Sequence, residues 1–137
     1  PLRFKKFSAR FARPLARWNR ALQSAGLPQL TRQFVTNHAD NPHINYLRCP
    51  VRSIAQIQRL MRQVYRGLGS IRIPSLIIHA DGDPKVDVQS GRDIYRAIGA
   101  SAKRYREIRF NQHGIVRGAI AQQVFAEVGA FLNTLPG

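Results

Sequence analysis

Three aspartates, Asp81, Asp83 and Asp87, stand directly after the apolar run "PSLIIHA" in a chain with seven acidic residues among 137. Further on, His113 stands in "NQHGIV", also just past a strand-like segment. A carboxylate that accepts a hydrogen bond from one imidazole nitrogen fixes the ring's tautomer and leaves the other nitrogen as a base. An Asp and a His placed to meet in this way are two-thirds of a nucleophile–His–acid triad. Read alone, Asp83 is a turn residue, because Asp-Gly and Asp-Pro pairs favour turns. A single His is more often structural than catalytic. What singles out Asp83 and His113 is their shared position after a strand. Asp81 is expected to shape the turn. Asp87 precedes a helical stretch, where a carboxylate caps free amides and meets the positive helix end. His79 closes the apolar run and is expected to pack or hydrogen-bond near the site.

The elements that must position these residues follow from periodicity. "PSLIIHA" is short and continuously apolar, the pattern of a strand buried on both faces in a parallel sheet. Residues 89–98 read as a helix with Ile94 and Ile98 inward, ended by Gly99. "RYREIRF" (104–110) alternates as a strand, with Tyr105, Ile108 and Phe110 its larger apolar members. Residues 119–133 form a last amphipathic helix through Ile120, Val124, Val128, Phe131 and Leu132. A helix between two strands implies a parallel βαβ unit. Both loops then leave the carboxyl edge of one sheet, where function gathers in open parallel sheets.

The first half is helical and basic. Leu2, Phe4, Phe7, Phe11, Leu15, Trp18 and Leu22 recur at helical spacing, in one helix or in two broken near Pro14. Residues 29–49 read as a loop rich in Asn, Asp and Pro. Pro50 opens an amphipathic helix with Val51, Ile54, Ile57, Leu60, Met61 and Val64 on one face, closed by Gly67 and Gly69. Residues 1–72 carry 14 Lys/Arg against Asp40 alone, whereas residues 73–137 carry eight against six acids. That step divides the expected domains at 1–70 and 71–137.

One cysteine, Cys49, leaves no internal disulfide, so the expected compartment is cytoplasmic; its own expected role is that of a small apolar filler. No apolar run reaches the roughly 20 residues that cross a bilayer. His38, Asp40 and His43 fit no regular zinc spacing, so no metal is expected there, and no organic cofactor either.

The wording and order of the second half, "IP.L..HA.GDP.VD", a helix, a strand, ".HG" and a closing helix, resemble the C-terminal part of an α/β-hydrolase of the serine carboxylesterase and lysophospholipase type. That family orders its triad Ser, Asp, His. Carried over by position, the resemblance implies Asp83 as the acid and His113 as the base, on an α/β fold of parallel strands with crossover helices. It implies that residues 1–70 are a helical lid. It implies hydrolysis of small carboxylic esters with an apolar acyl chain, as in carboxylesterases and lipases, without a cofactor.

One departure matters. The nucleophile elbow G-x-S-x-G is absent: "GLGSI" misplaces Ser70 and "GASAK" lacks the second glycine. The chain also begins with Pro rather than Met. The expectation is therefore a hydrolase fragment, inactive alone, whose partner is the N-terminal half of the same fold carrying the serine. An orphaned strand would expose open backbone edges, so such a fragment is expected to associate. Two alternatives come from other classes. The basic half, with its interleaved Phe and Trp, could bind nucleic acid (the weaker case) or touch an anionic membrane peripherally. The chain could also be a non-catalytic α/β partner protein.

Overall fold

The computed structural model describes residues 11–36, 43 and 46–136. Leu2, Phe4, Phe7, His38 and Asp40 lie outside the described residues. The chain divides into two compact units between Met61 and Arg62.

In the first unit, helix α1 spans Ala12–Ser24. Pro14 sits in its first turn, where a missing N–H breaks no helical bond, so the helix is not divided there. The stripe read from the sequence is not the buried face. Trp18 and Phe11 are exposed, while Ala12 and Asn19 are buried. The reason is a polar anchor. Asn19 Nδ2 donates to the Arg32 carbonyl at 2.8 Å and its Oδ1 accepts from the Arg32 amide at 3.0 Å. This pair satisfies the buried amide and ties the following segment to the helix.

Residues 29–49 were expected to be a loop, but they include part of a short antiparallel ladder. Strand β1 (Phe34–Thr36) pairs with β2 (Arg48–Pro50), Val35 opposite Cys49. Helix α2 follows at once over Val51–Gly67. Val35, Val51 and Ile54 close a small core with Ala12, against which Leu15 and the half-buried Cys49 pack. Of the apolar face expected on α2, only Val51 and Ile54 are buried; Ile57, Leu60 and Val64 are exposed.

In the second unit, β3 (Ser75–Ala80) runs parallel to β4 (Lys103–Ile108), with Ser75 opposite Lys103 and Ala80 opposite Ile108. Helix α3 spans Gln89–Ala97 and α4 spans Ala121–Leu132. Successive strand residues point to opposite faces. Ile78, Ala80 and Ile108 therefore pack with Ile120 and Val124 at α4, while Ile77 packs with Ile94, Leu68 and Ile98 at α3. Truncating Ile108, which is fully enclosed, costs about 2–5 kcal/mol on this geometry.

The expectation for β3 changes here. Most of β3 is half-buried rather than enclosed on both faces; only Ala80 is fully buried. Tyr105 and Ile108 do not share a face, because their spacing is odd; Tyr105 lies toward α3 and Ile108 toward α4. On α4, Val128 and Leu132 remain exposed while Val124 and Phe131 are buried.

Candidate active site

The turn after β3 is clamped to the end of β4. The Asp81 amide donates to the Ile108 carbonyl and the Gly82 amide to the Phe110 carbonyl, each at 3.0 Å. Asp81 Oδ1 answers by accepting from the Phe110 amide at 3.0 Å. Asp81 thus does more than shape its own turn: it joins the acid loop to the segment leading to His113. Only glycine fits next to it. A Cβ on Gly82 would lie 2.8 Å from the Phe110 carbonyl oxygen and 3.0 Å from the Asn111 Cα. The clamp fixes both loops at one sheet edge before any side chain reaches across.

Asp83 lies in the middle of this arrangement, only 4% exposed. Its Oδ1 accepts from the Lys85 amide at 2.7 Å and the Val86 amide at 3.0 Å. Its Oδ2 lies 2.7 Å from His113 Nδ1. An ionised carboxylate only accepts, so Nδ1 carries the proton and Nε2 holds a free lone pair. Burial alone would push the Asp83 carboxyl up. The His113 hydrogen bond, the two amides and the attraction of the imidazole together outweigh it and hold Asp83 below its ordinary value. His113 has 48% of its side chain open, so the ring is reachable from outside.

Asp87 acts at the neighbouring helix. Its Oδ1 accepts from the Gln89 amide at 2.9 Å, the first residue of α3. The three aspartates thus divide into a clamp, an imidazole partner and a helix-end acceptor. His79 lies behind Asp83, its Nε2 at 3.8 Å from Asp83 Oδ2. A cavity of about 230 Å³ opens beside the pair, lined by His79, Asp83, Ser90, Ile94, His113 and Ile115 among others. Among the described residues no three His, Cys, Asp or Glu side chains cluster as metal ligands.

A buried aspartate is thus bonded to a half-open histidine, both just past the carboxyl ends of parallel strands. Residues 1–118 match the Hydrolase_4 family, described as serine aminopeptidase, S33, a span that includes both Asp83 and His113. The chain belongs to the Hydrolase_4 family. Its fold is α/β-hydrolase-type. A monoacylglycerol lipase from Paleococcus ferrophilus matches with a TM-score of 0.55 at 14% identity, over 69% of this chain and 37% of that one. A soluble variant of monoglyceride lipase from Saccharomyces cerevisiae, solved with a substrate analog, matches with a TM-score of 0.53 at 17% identity, over 69% and 36%. At such identities the likeness is one of fold. This Hydrolase_4 chain thus spans a little over a third of those two structures. No curated protein matches it.

Sequence order pointed to Asp83 and His113, and the structure brings them together. It did not reveal the Asp81 clamp or the approach of His79 to Asp83. "HADGD" carried one usable signal for the clamp: a glycine between two aspartates marks a backbone that something must approach closely.

Proposed function

We propose that this chain supplies the acid and the base of a Ser–Asp–His triad in a hydrolase that cleaves carboxylic esters with an apolar acyl group. The single observation that carries this reading is the 2.7 Å bond between His113 Nδ1 and the buried Asp83, whose other oxygen is already held by two backbone amides. That arrangement frees His113 Nε2 to take a proton. In the proposed reaction a serine from the family's preceding segment attacks the ester carbonyl. His113 takes the serine proton and returns it to the leaving alcohol. Water then attacks the acyl-enzyme, giving its proton to His113, and the acid leaves as the serine regains its proton. Asp83 stays ionised and stabilises the imidazolium. The apolar side chains in the cavity, such as Ile94 and Ile115, favour an acyl group over a charged one.

The serine is not in this chain, because G-x-S-x-G is absent from it. We therefore read residues 71–137 as the acid–histidine part of the core, residues 1–70 as a lid, and the chain alone as inactive. The test is hydrolysis of p-nitrophenyl esters of increasing acyl length by the chain alone and by the chain joined to its upstream coding sequence. The reading expects turnover and fluorophosphonate labelling only in the joined protein, both lost with His113→Asn. A joined protein that neither turns over esters nor takes the label would sink it.

A second reading concerns the helical part. Trp18 on α1 and Leu60 on α2 are exposed beside rows of arginine, among them Arg17, Arg20, Arg59 and Arg62. Exposed apolar and cationic side chains together favour peripheral contact with an anionic bilayer. No described helix is long and apolar enough to cross a membrane. Co-sedimentation with phosphatidylglycerol vesicles but not phosphatidylcholine vesicles, lost at high salt, is the expected outcome. Equal binding to both lipids, or to neither, argues against it.

A further inference from the structure

The proton accounting around Asp83 leaves one place open. A carboxylate offers about four acceptor positions. The Lys85 and Val86 amides fill two on Oδ1 and His113 fills one on Oδ2. The fourth is also on Oδ2, and His79 Nε2 lies 3.8 Å from that oxygen. That nitrogen is buried and has no hydrogen-bond partner among the described residues. The His79 side chain is only 12% exposed, and it cannot swing aside freely. Helix α3 closes over it at Gly91, where even a Cβ would lie 3.0 Å from His79 Nδ1 and 3.0 Å from the Tyr105 ring.

We infer that His79 is a positioning residue for Asp83: its Nε2–H points at Oδ2 and, together with His113, keeps that carboxylate ionised and fixed in plane. This inference rests on the acid–histidine reading above. The physical argument is one of sign. A bare Nε2 would aim a lone pair at a buried anion with nothing to offset the repulsion. A protonated Nε2 aims the positive end of its N–H dipole there instead. The separation is longer than a hydrogen bond, yet in a buried setting the dipole still acts on the charge. The carboxylate therefore selects the Nε2–H tautomer of His79, just as it selects the Nδ1–H tautomer of His113.

The other ionisable groups on this side are already occupied with one another. Glu107, opposite His79 on β4, is bonded to Arg92 from α3 at 2.6 Å and to the Tyr105 hydroxyl at 3.0 Å. The His79 ring also acts on Glu107 by charge, but Asp83 is the carboxylate with an oxygen 3.8 Å from His79 Nε2. From the sequence His79 is expected to pack or hydrogen-bond near the site, but nothing there names Asp83 as its partner.

The test uses the 137-residue chain itself, labelled with nitrogen-15, and reads the tautomer of each imidazole by long-range proton–nitrogen correlation. His79 is expected as Nε2–H at neutral pH, and Asp83→Asn is expected to move it away from that tautomer. His79→Leu should raise the Asp83 carboxyl midpoint, read by carbon-13, by about half a pH unit, and His79→Gln, which keeps an N–H at the same reach, should restore it. A wild-type His79 found as Nδ1–H overturns the inference, and that measurement needs no variant to fold. So does an Asp83 midpoint that is unmoved by the leucine. The two readings fail separately. If His113 ignores Asp83→Asn, the acid–histidine pair is wrong; if His113 responds and His79 does not, only the role given to His79 is wrong.

Discussion

Replacing Asp83 by Asn changes one oxygen into an amide nitrogen and leaves the volume almost unchanged, so it tests charge and hydrogen bonding rather than packing. The structure dictates how the new side chain must sit. If its oxygen takes the Oδ1 place, it keeps the Lys85 and Val86 amides, now at 2.7 and 3.0 Å. Its NH₂ then faces His113 Nδ1. The reverse placement sets the NH₂ against two amide donors and forfeits both bonds, each worth about 1 kcal/mol net, with a further penalty for burying unpaired donors. The first placement wins. It forces His113 to present a lone pair at Nδ1 and so to carry its proton on Nε2, the nitrogen that the proposed reaction needs as the base. Loss of the base and of the charge that stabilises the imidazolium together should lower kcat by on the order of 10³–10⁴. That is about 4–5.5 kcal/mol of barrier. Stability should fall by only about 1.5–3 kcal/mol, the worth of the one charge-assisted bond lost. The assays are ester turnover in the nucleophile-bearing protein and urea unfolding of the chain. Turnover within tenfold of the parent, with the fold intact, would refute the reasoning. Loss of activity at Asp81→Asn instead would show that the wrong aspartate was chosen.

Other outcomes follow from the same geometry. Gly82→Ala should cost about 1–3 kcal/mol in urea unfolding, because the new Cβ forces the backbone away from Phe110 and breaks the clamp; an unchanged midpoint would show that the clamp yields freely. Asp83 is held below its ordinary pKa, so its contribution to stability is complete above that ordinary value and is lost as pH falls through the lower folded one. The Asp83→Asn chain should therefore lose stability less steeply on acidification, and parallel acid limbs would contradict this. Burial first, then the Glu107 hydrogen bond and charge, push the Tyr105 hydroxyl up to about 12. Glu107→Gln should lower that value while burial keeps it above the ordinary one, as read by ultraviolet titration; no change would mean that Glu107 does not act on it.

The order of elements after residue 71 was legible because it rests on local pattern. The change from apolar run to helical period, and the placing of Asp83 and His113 just past two strands, need no knowledge of distance. The short ladder of Phe34–Thr36 with Arg48–Pro50 was not legible, because three residues are too few to show a period and their bonds go to a partner far along the chain. The buried face of α1 was misread for a related reason: Asn19 counts as polar until its two bonds to Arg32 are seen. By itself, then, the sequence determined which residues could form an acid–histidine pair and on which kind of edge. The tertiary structure alone decided that Asp81 fastens the two loops and that His79 faces the same carboxylate oxygen as His113. Both depend on parallel register and on the close approach of backbone at Gly82 and helix at Gly91, contacts between segments that no local pattern encodes.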